Sequence, residues 1–144
     1  MRSIVELDID APLARVAALY ANPELSTEWM DDIERYEPIS GGPGAPGSRY
    51  RLVPRKGSML FVATVIARDL PNEARIRLDA PQVTVFVTGR LAALSPDRTR
   101  LVSEEVFHFK GLLHGVLGFL ARGAIKKAHR RHMEAFKHFV ERSA

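Results

Sequence analysis

The side chains best suited to chemistry lie in two places, a pair of glutamates at Glu104 and Glu105 and a basic pair at Arg131 and His132. Histidine titrates near neutral pH, so His132 could exchange protons with a carboxylate such as Glu105. An inward-facing Arg131 would need the same kind of partner, because an unpaired charge in an apolar interior costs several kcal/mol. The pattern predicts either a polar end of a pocket, with His132 and Glu105 as candidate catalytic groups, or a helix end that leaves Arg131 and His132 in water.

Metal and thiol chemistry find little support in the chain. His129 and His132 have the spacing of a helical metal pair, but Glu134 does not share their face. We therefore expect no metal site and no cofactor, and we place His129 on the exposed, basic side of its helix. The absence of cysteine excludes disulfides and thiol nucleophiles.

The histidines belong to a stretch, residues 111–144, that predicts one long helix. It contains no proline, and its apolar residues recur at three- and four-residue steps, as Leu117, Leu120, Ala124, Ala128, Ala135 and Phe139 do. A continuous helix here would be about 45 Å long. Its first part, to about Gly123, is rich in glycine and apolar on several faces. We interpret that part as a pocket entrance, a membrane contact or a dimer interface.

The rest of the chain reads as seven short strands, with two small helices after the first. The helices begin at Asp10-Ala11-Pro12 and Asn22-Pro23-Glu24. The predicted strands cover residues 3–10, 33–39, 49–53, 59–70, 74–80, 83–94 and 99–110. Connections this short require antiparallel pairing. Because only the terminal helix can cover one face of such a sheet, residues 1–144 predict a single α+β domain, a curved sheet of six to seven strands wrapped around that helix.

Composition and charge limit the kinds of binding partner that we expect, and the N-terminal pattern bears on the cellular compartment. Hydrophobic residues make up 46% and charged residues 26% of 144, as in ordinary globular proteins. The net charge is +4, and residues 122–142 hold seven Lys or Arg against two Glu. A solvated outer face explains this best, ahead of an anionic ligand or membrane surface; we expect no nucleic acid partner, since no recognition motif occurs. The N-terminus alternates apolar and polar residues with no signal-peptide core, so we expect a cytoplasmic protein.

Several strings fall in an order typical of one superfamily. They are Ile9-Asp10-Ala11-Pro12, Asn22-Pro23-Glu24 with Trp29, Pro46-Gly47-Ser48-Arg49-Tyr50, Leu70-Pro71-Asn72 and Phe107-His108-Phe109-Lys110-Gly111. Over nearly the whole chain the sequence resembles the START/Bet v 1-like (SRPBCC) superfamily, in its polyketide cyclase/dehydrase-like branch. The resemblance implies a helix-grip fold with an apolar cavity. Members bind lipids, hormones, polyketides or quinones, and some catalyse cyclisation or dehydration.

These observations lead to one main hypothesis and two alternatives. The main hypothesis is a carrier or sensor that binds a small hydrophobic ligand between sheet and helix. The predicted lining residues are Trp29, Tyr50, Phe61, Phe86, Phe107, Leu117, Leu120, Ala124, Arg131 and His132. The first alternative is a cyclase- or dehydratase-like enzyme acting on a polyketide or aromatic substrate, with His132 and Glu105 as acid and base. The second is a peripheral membrane or protein-interaction module that uses the basic helix, as a monomer or a homodimer.

Overall fold

Seven strands form one antiparallel sheet in the computed structural model, which describes residues 1–20, 22–55 and 59–143. The strands are β1 (Arg2–Ile9), β2 (Ile33–Ser40), β3 (Arg49–Pro54), β4 (Phe61–Asp69), β5 (Glu73–Asp79), β6 (Val83–Ser95) and β7 (Arg98–Phe109). Their order across the sheet is β1-β7-β6-β5-β4-β3-β2. Each strand after β2 pairs with its predecessor, and β1 closes against β7, as the short connections predict.

Two short helices follow β1, and two further helices, of which the second is long, follow β7. They are α1 (Leu13–Tyr20), α2 (Ser26–Trp29), α3 (Gly111–Leu120) and α4 (Arg122–Arg142), with a 3-10 turn at Pro23–Leu25 before α2. The side chain of Asn22 caps that turn by accepting a hydrogen bond from the backbone N–H of Glu24. The predicted α+β helix-grip architecture is confirmed. In the described part of the chain, no helix has the length and hydropathy needed to cross a membrane.

The terminal helix is divided, so the prediction of one continuous helix is wrong. The break falls at Ala121, and α4 alone spans 21 residues, or about 32 Å; the predicted end at Ala144 lies outside the described residues. Glycines weaken helices by up to about 1 kcal/mol each, which lowers the cost of a break in this region. Gly118 packs directly on the ring of Phe109, where any Cβ atom would overlap the ring. Close packing of α3 on the end of β7 therefore sets its direction independently of α4.

One edge of the concave face is tightly closed by α4. The buried positions of the helix are His129, Met133, Phe136 and Val140, which lie on one stripe and pack against β1 and β7. The predicted stripe through Ala124, Ala128, Ala135 and Phe139 is thus displaced by one residue. Ala124 is exposed and the other three are half-buried at the margins. The displacement follows from His129, whose polar side chain was assigned to solvent although it is buried.

The strand register shows which side chains share the face that α4 covers. Ser3 of β1 lies opposite Glu105 of β7, which in turn lies opposite Val87 of β6. Directly paired residues project to the same face of a sheet. The same alternation brings Phe107 to this face, beside the β5 and β6 side chains. We call the part against α4 (Val5, Ile9, Leu91, Leu101) the closed half, and the part lined by Phe61, Ile76, Leu78, Val87 and Phe107 the open half, because the latter five remain half-buried.

Candidate functional site

Glu105 lies on the concave face at the border between the two halves. Its neighbours across the strands are Ser3 and Val87, and its side chain retains 18% exposure. Burial raises the pKa of Glu105 to about 7, although the charge of nearby His132 opposes this. Within the described residues, no hydrogen bond involves its carboxyl group. The carboxyl is therefore partly protonated near neutral pH and available to an incoming ligand.

His129 lies beside Glu105 as a fully buried ring held by two hydroxyl groups. Its Nδ1 is 2.8 Å from Ser3 Oγ and its Nε2 is 2.9 Å from Ser103 Oγ. Burial, aided by the charges of His132 and Arg130, lowers the pKa of His129 to about 4. The neutral ring donates to one serine and accepts from the other. The prediction of an exposed His129 is wrong, because the two serines satisfy the hydrogen bonds that would otherwise require water.

His132 lies one turn further along α4 and is bound to an aspartate. Its Nε2 is 3.1 Å from Asp32 Oδ2, in the turn between α2 and β2. The hydrogen bond from His132 lowers the pKa of Asp32, against the opposing effect of burial. In the described part of the chain, Asp32 Oδ1 is buried without a hydrogen-bond partner. Asp32 was missed from the sequence, since nothing in its local pattern connects it to a histidine 100 residues later.

Arg131 does not take part in the site. Its side chain is on the exposed side of α4. Among the described residues, Glu105 approaches His129 Nδ1 at 3.8 Å and forms no ion pair with Arg131. The predicted Arg131–Glu105 pair is therefore replaced by two separate arrangements, Glu105 beside His129 and His132 on Asp32.

Tyr20 adds a hydroxyl group to the same region. The hydroxyl fills the space above Gly89, where an added Cβ atom would overlap it. Gly89 lies opposite Ser103, one of the two serines that hold His129. Burial raises the pKa of Tyr20 to about 12, and the charge of Glu105 adds to the effect. Tyr20 thus stays protonated and keeps a hydrogen-bond donor near the carboxyl.

Apart from the two residues of α4 described above, the predicted lining residues divide into three groups. Phe61 and Phe107 lie on the wall of the open half. Trp29 is half-buried and Tyr50 is buried, and each packs on another aromatic ring: Trp29 lies 5.2 Å from the ring of Phe136, and Tyr50 lies 4.6 Å from that of Tyr36. Four others are misassigned: Phe86 lies on the convex face beside His108 and Arg77, and Leu117, Leu120 and Ala124 are exposed. Phe86 lies one residue out of phase with Val85 and Val87, which explains its outward direction.

A separate cleft of about 480 Å³ opens between the 3-10 turn and the loop that follows β2, at Gly41 and Pro43. Tyr50 is the one predicted lining residue that borders it, and Glu24 and Arg68 give it charges of both signs. Glu105 is not part of its wall. Across the residues that the structure describes, no group of three or more His, Cys, Asp or Glu side chains has the arrangement of a metal site.

The site thus combines an apolar wall with a few polar groups at one edge. Glu105 can donate or accept a hydrogen bond near neutral pH, and His132 and Tyr20 lie within range of its charge. Such a combination can orient a carbonyl or hydroxyl group of an apolar molecule and can also exchange a proton with it.

Comparisons with known proteins agree with this fold. The model of the family described as polyketide cyclase/dehydrase and lipid transport matches residues 3–141, which confirms the resemblance drawn from the sequence. No curated protein matches the chain. Among solved structures, the Zhui aromatase/cyclase from Streptomyces sp. R1128 is 18% identical, with 99% of this chain and 94% of that chain covered and a TM-score of 0.81. A START superfamily protein from Mycobacterium smegmatis is 16% identical over 99% of both chains, with a TM-score of 0.79.

A truncated norcoclaurine synthase from Thalictrum flavum is also similar, at 16% identity, 97% and 94% coverage of the two chains and a TM-score of 0.73. Identities this low indicate a common fold and leave the chemistry to the residues of each site.

Proposed function

The chain belongs to the polyketide cyclase/dehydrase and lipid transport family. From this premise we propose that it binds a small, largely apolar molecule in the open half of the concave face. The carbonyl or hydroxyl group of the ligand is held by Glu105. The protein acts as a carrier or sensor of that molecule. The family is known for binding small hydrophobic ligands, and the proposal assigns such binding to a particular part of the concave face.

The observation that carries the proposal is the state of the Glu105 carboxyl. A glutamate that only stabilises a fold is normally paired or exposed to water. Glu105 is mostly buried, and no hydrogen bond reaches its carboxyl from the described residues. Its pKa is raised to about 7 by burial. A perturbed, unpaired carboxyl beside an apolar surface is typical of a binding site rather than of a core.

The apolar wall supplies most of the binding free energy. Phe61, Val87 and Phe107 are half-buried, so a ligand that covers them removes further apolar surface from water. Each 100 Å² of such surface is worth about 2.5 kcal/mol before the costs of association. Glu105 then selects among apolar molecules by the position of their oxygen atoms.

Glu105 also predicts how binding depends on pH. Below about pH 7 the protonated carboxyl donates a hydrogen bond to a ligand carbonyl, whereas above it the carboxylate accepts from a hydroxyl group. A carbonyl ligand should therefore bind more weakly as pH rises through 7, and a phenolic ligand should not lose affinity in this way.

The test combines recovery of the bound ligand with two tryptophan substitutions, one in β6 and one in the neighbouring strand β7. Organic extracts of the purified protein are analysed by mass spectrometry, and recovered compounds are titrated back by calorimetry. Val87→Trp should fill the open half and reduce affinity at least tenfold, while the matched Val106→Trp, on the convex face, should leave it unchanged. Equal affinity for both variants, or a pH dependence of carbonyl-ligand binding that survives in Glu105→Gln, would place the ligand elsewhere, for example in the cleft at Tyr50.

A second function, acid–base catalysis on a bound polyketide-like or aromatic substrate, is favoured by the pKa of Glu105. A group with a pKa near 7 is both a competent acid and a competent base at neutral pH. Glu105→Gln should then retain binding of the recovered compound and lose turnover by about two orders of magnitude or more. If His132→Ala keeps full turnover, His132 acts only in positioning Asp32 and has no part in proton transfer.

A further inference from the structure

Helix α3 presents its large apolar side chains to water and its small residues to the protein. Leu112, Leu113, Phe119 and Leu120 are 87%, 67%, 61% and 70% exposed. The inward side consists of Gly118, which is buried on the ring of Phe109, and the half-buried His114 and Gly115. An amphipathic helix of a globular domain has the opposite arrangement. The exposed side chains form a contiguous apolar patch of a kind that usually marks an interaction surface.

The chain that follows this patch is basic without interruption by acidic residues. Residues 111–133 include no Asp or Glu, whereas Arg122, Lys126, Lys127, Arg130 and Arg131 occur in the first part of α4. The guanidinium of Arg122 lies 3.9 Å from the centroid of the Phe119 ring, at the junction of apolar and basic surface. A partner must therefore be apolar where it meets α3 and anionic where it meets the start of α4.

A second cleft concentrates this positive charge. It has a volume of about 310 Å³ and lies between β1 and the start of α4, with Arg2, Lys126 and Arg130 around Ser3 and Ile4. Glu104 pairs with Arg2, and Glu134 lies 3.8 Å from Arg130, so these two carboxylates neutralise part of the charge. Lys126 forms no ion pair with any residue that the structure describes. The cleft can accept an anionic group of the size of a phosphate.

We propose that α3 docks on the surface of a bilayer that contains anionic phospholipids. Leu113, Phe119 and their exposed neighbours enter the boundary between headgroups and acyl chains, and Lys126 and Lys127 contact lipid phosphates. This surface is distinct from the open half and does not depend on a ligand there. A symmetric dimer through α3 would bring the basic residues of two copies together, which disfavours a second copy as the occupant.

The first experiment is co-sedimentation of the purified protein with vesicles. Phosphatidylcholine vesicles are compared with vesicles that contain about 30% phosphatidylserine, at low salt and at about 0.5 M salt. Binding should require phosphatidylserine and weaken strongly with salt. Leu113→Ser with Phe119→Ser should reduce the partition coefficient at least tenfold, and Leu94→Ser, the same kind of change at another exposed leucine at the end of β6, should have no effect.

The second set of variants removes charge without touching the apolar patch. Lys126→Gln and Lys127→Gln should each weaken partitioning about fivefold, whereas Arg142→Gln, at the other end of α4, should change it little. Absence of binding to phosphatidylserine vesicles, or equal effects of the test and control variants, would overturn the proposal. Sedimentation velocity tests whether the patch is a dimer interface. If the protein does not bind vesicles and forms a dimer that Phe119→Ser dissociates, the patch belongs to contact with a second copy instead.

Discussion

The two halves of the concave face share one sheet but differ in what covers them. In the closed half, Ile9, Leu101, Phe136 and Val140 are each 0% exposed. In the open half, by contrast, some apolar side chains of β4 and β6 are buried, but Val87 and Phe107 remain half-buried, because α4 packs chiefly on β1. Residues with the same period-two pattern therefore serve as core in one half and, under the proposed function, as the ligand-binding wall in the other. The position of one helix decides which.

His129 and Glu105, the two titratable groups at the border, differ in the same way as the two halves do. His129 belongs to the closed half and has a hydroxyl partner for each ring nitrogen. Glu105 faces the open half, and the described residues offer its carboxyl no hydrogen bond. Burial shifts both pKa values toward the neutral form, downward for the imidazole and upward for the carboxyl. Of the two groups, only Glu105 keeps a free hydrogen-bonding capacity that a ligand could use.

The largest expected difference between the halves concerns loss of an aromatic ring. Phe136→Ala should lower the free energy of unfolding by about 3–5 kcal/mol, since the ring is fully buried against Tyr20 and Trp29. Phe107→Ala should cost only about 1–2 kcal/mol, because water already reaches part of that ring. Urea unfolding measures both. Equal losses would mean that the open half is packed as tightly as the closed one.

Glu105→Gln should stabilise the protein at alkaline pH. The native pKa of about 7 lies above the ordinary value of 4.5, so the folded state binds more protons between these values. Stability contributed by this group is complete below about pH 4.5 and is lost as pH rises through 7. The neutral amide avoids the loss, so the variant should exceed the wild type by up to about 3 kcal/mol near pH 8 and match it near pH 4.

His129 supplies the internal control for that experiment, because its effect has the opposite sign. Its native pKa of about 4 lies below the ordinary 6.5, so the unfolded state binds more protons in between and stability rises with pH over this window. The two groups offset each other between pH 4.5 and 6.5 in the wild type. Glu105→Gln should expose the rising slope. A variant curve parallel to the wild type would contradict the pKa of Glu105, and a variant curve without a rise between pH 4.5 and 6.5 would contradict that of His129.

A smaller effect is expected where His132 meets Asp32. A double-mutant cycle with His132→Ala and Asp32→Ala should give a coupling free energy of about 1–2 kcal/mol at neutral pH, as for one partly buried hydrogen bond to a charged group. Protonation of Asp32 at low pH should reduce this coupling, because the bond from His132 is what lowers the pKa of Asp32. Additive single effects would indicate that the bond does not form in solution.

The smallest effect is expected at Arg131, which the sequence allowed either in the pocket or in water and which is exposed in the structure. Arg131→Ala should change the free energy of unfolding by less than about 0.5 kcal/mol and leave ligand affinity unchanged. His132→Ala is the matched comparison on the neighbouring position. A loss of affinity for Arg131→Ala similar to that for His132→Ala would return Arg131 to the site.

The sequence was informative about elements and much less so about partners. Alternation in residues such as Ile76 and Leu78 predicts strands, and short connections predict their antiparallel order. His129 was misplaced because hydropathy assigns histidine to the surface, and its serine partners Ser3 and Ser103 become neighbours only through the β1–β7 register. Asp32 lies in a turn without any periodic pattern. Glu105 was recognised as a candidate only as a carboxylate partner for Arg131 and His132, and its place beside His129 was not foreseen.

The central claim is that the open half holds a desolvated carboxyl that is ready to bind a ligand. Carbon-13 NMR titration of the Glu105 side chain, assigned by comparison with Glu105→Gln, tests it most directly. The account predicts a midpoint near pH 7 in the free protein. A midpoint near the ordinary 4.5 would show a hydrated carboxyl and contradict the proposed site.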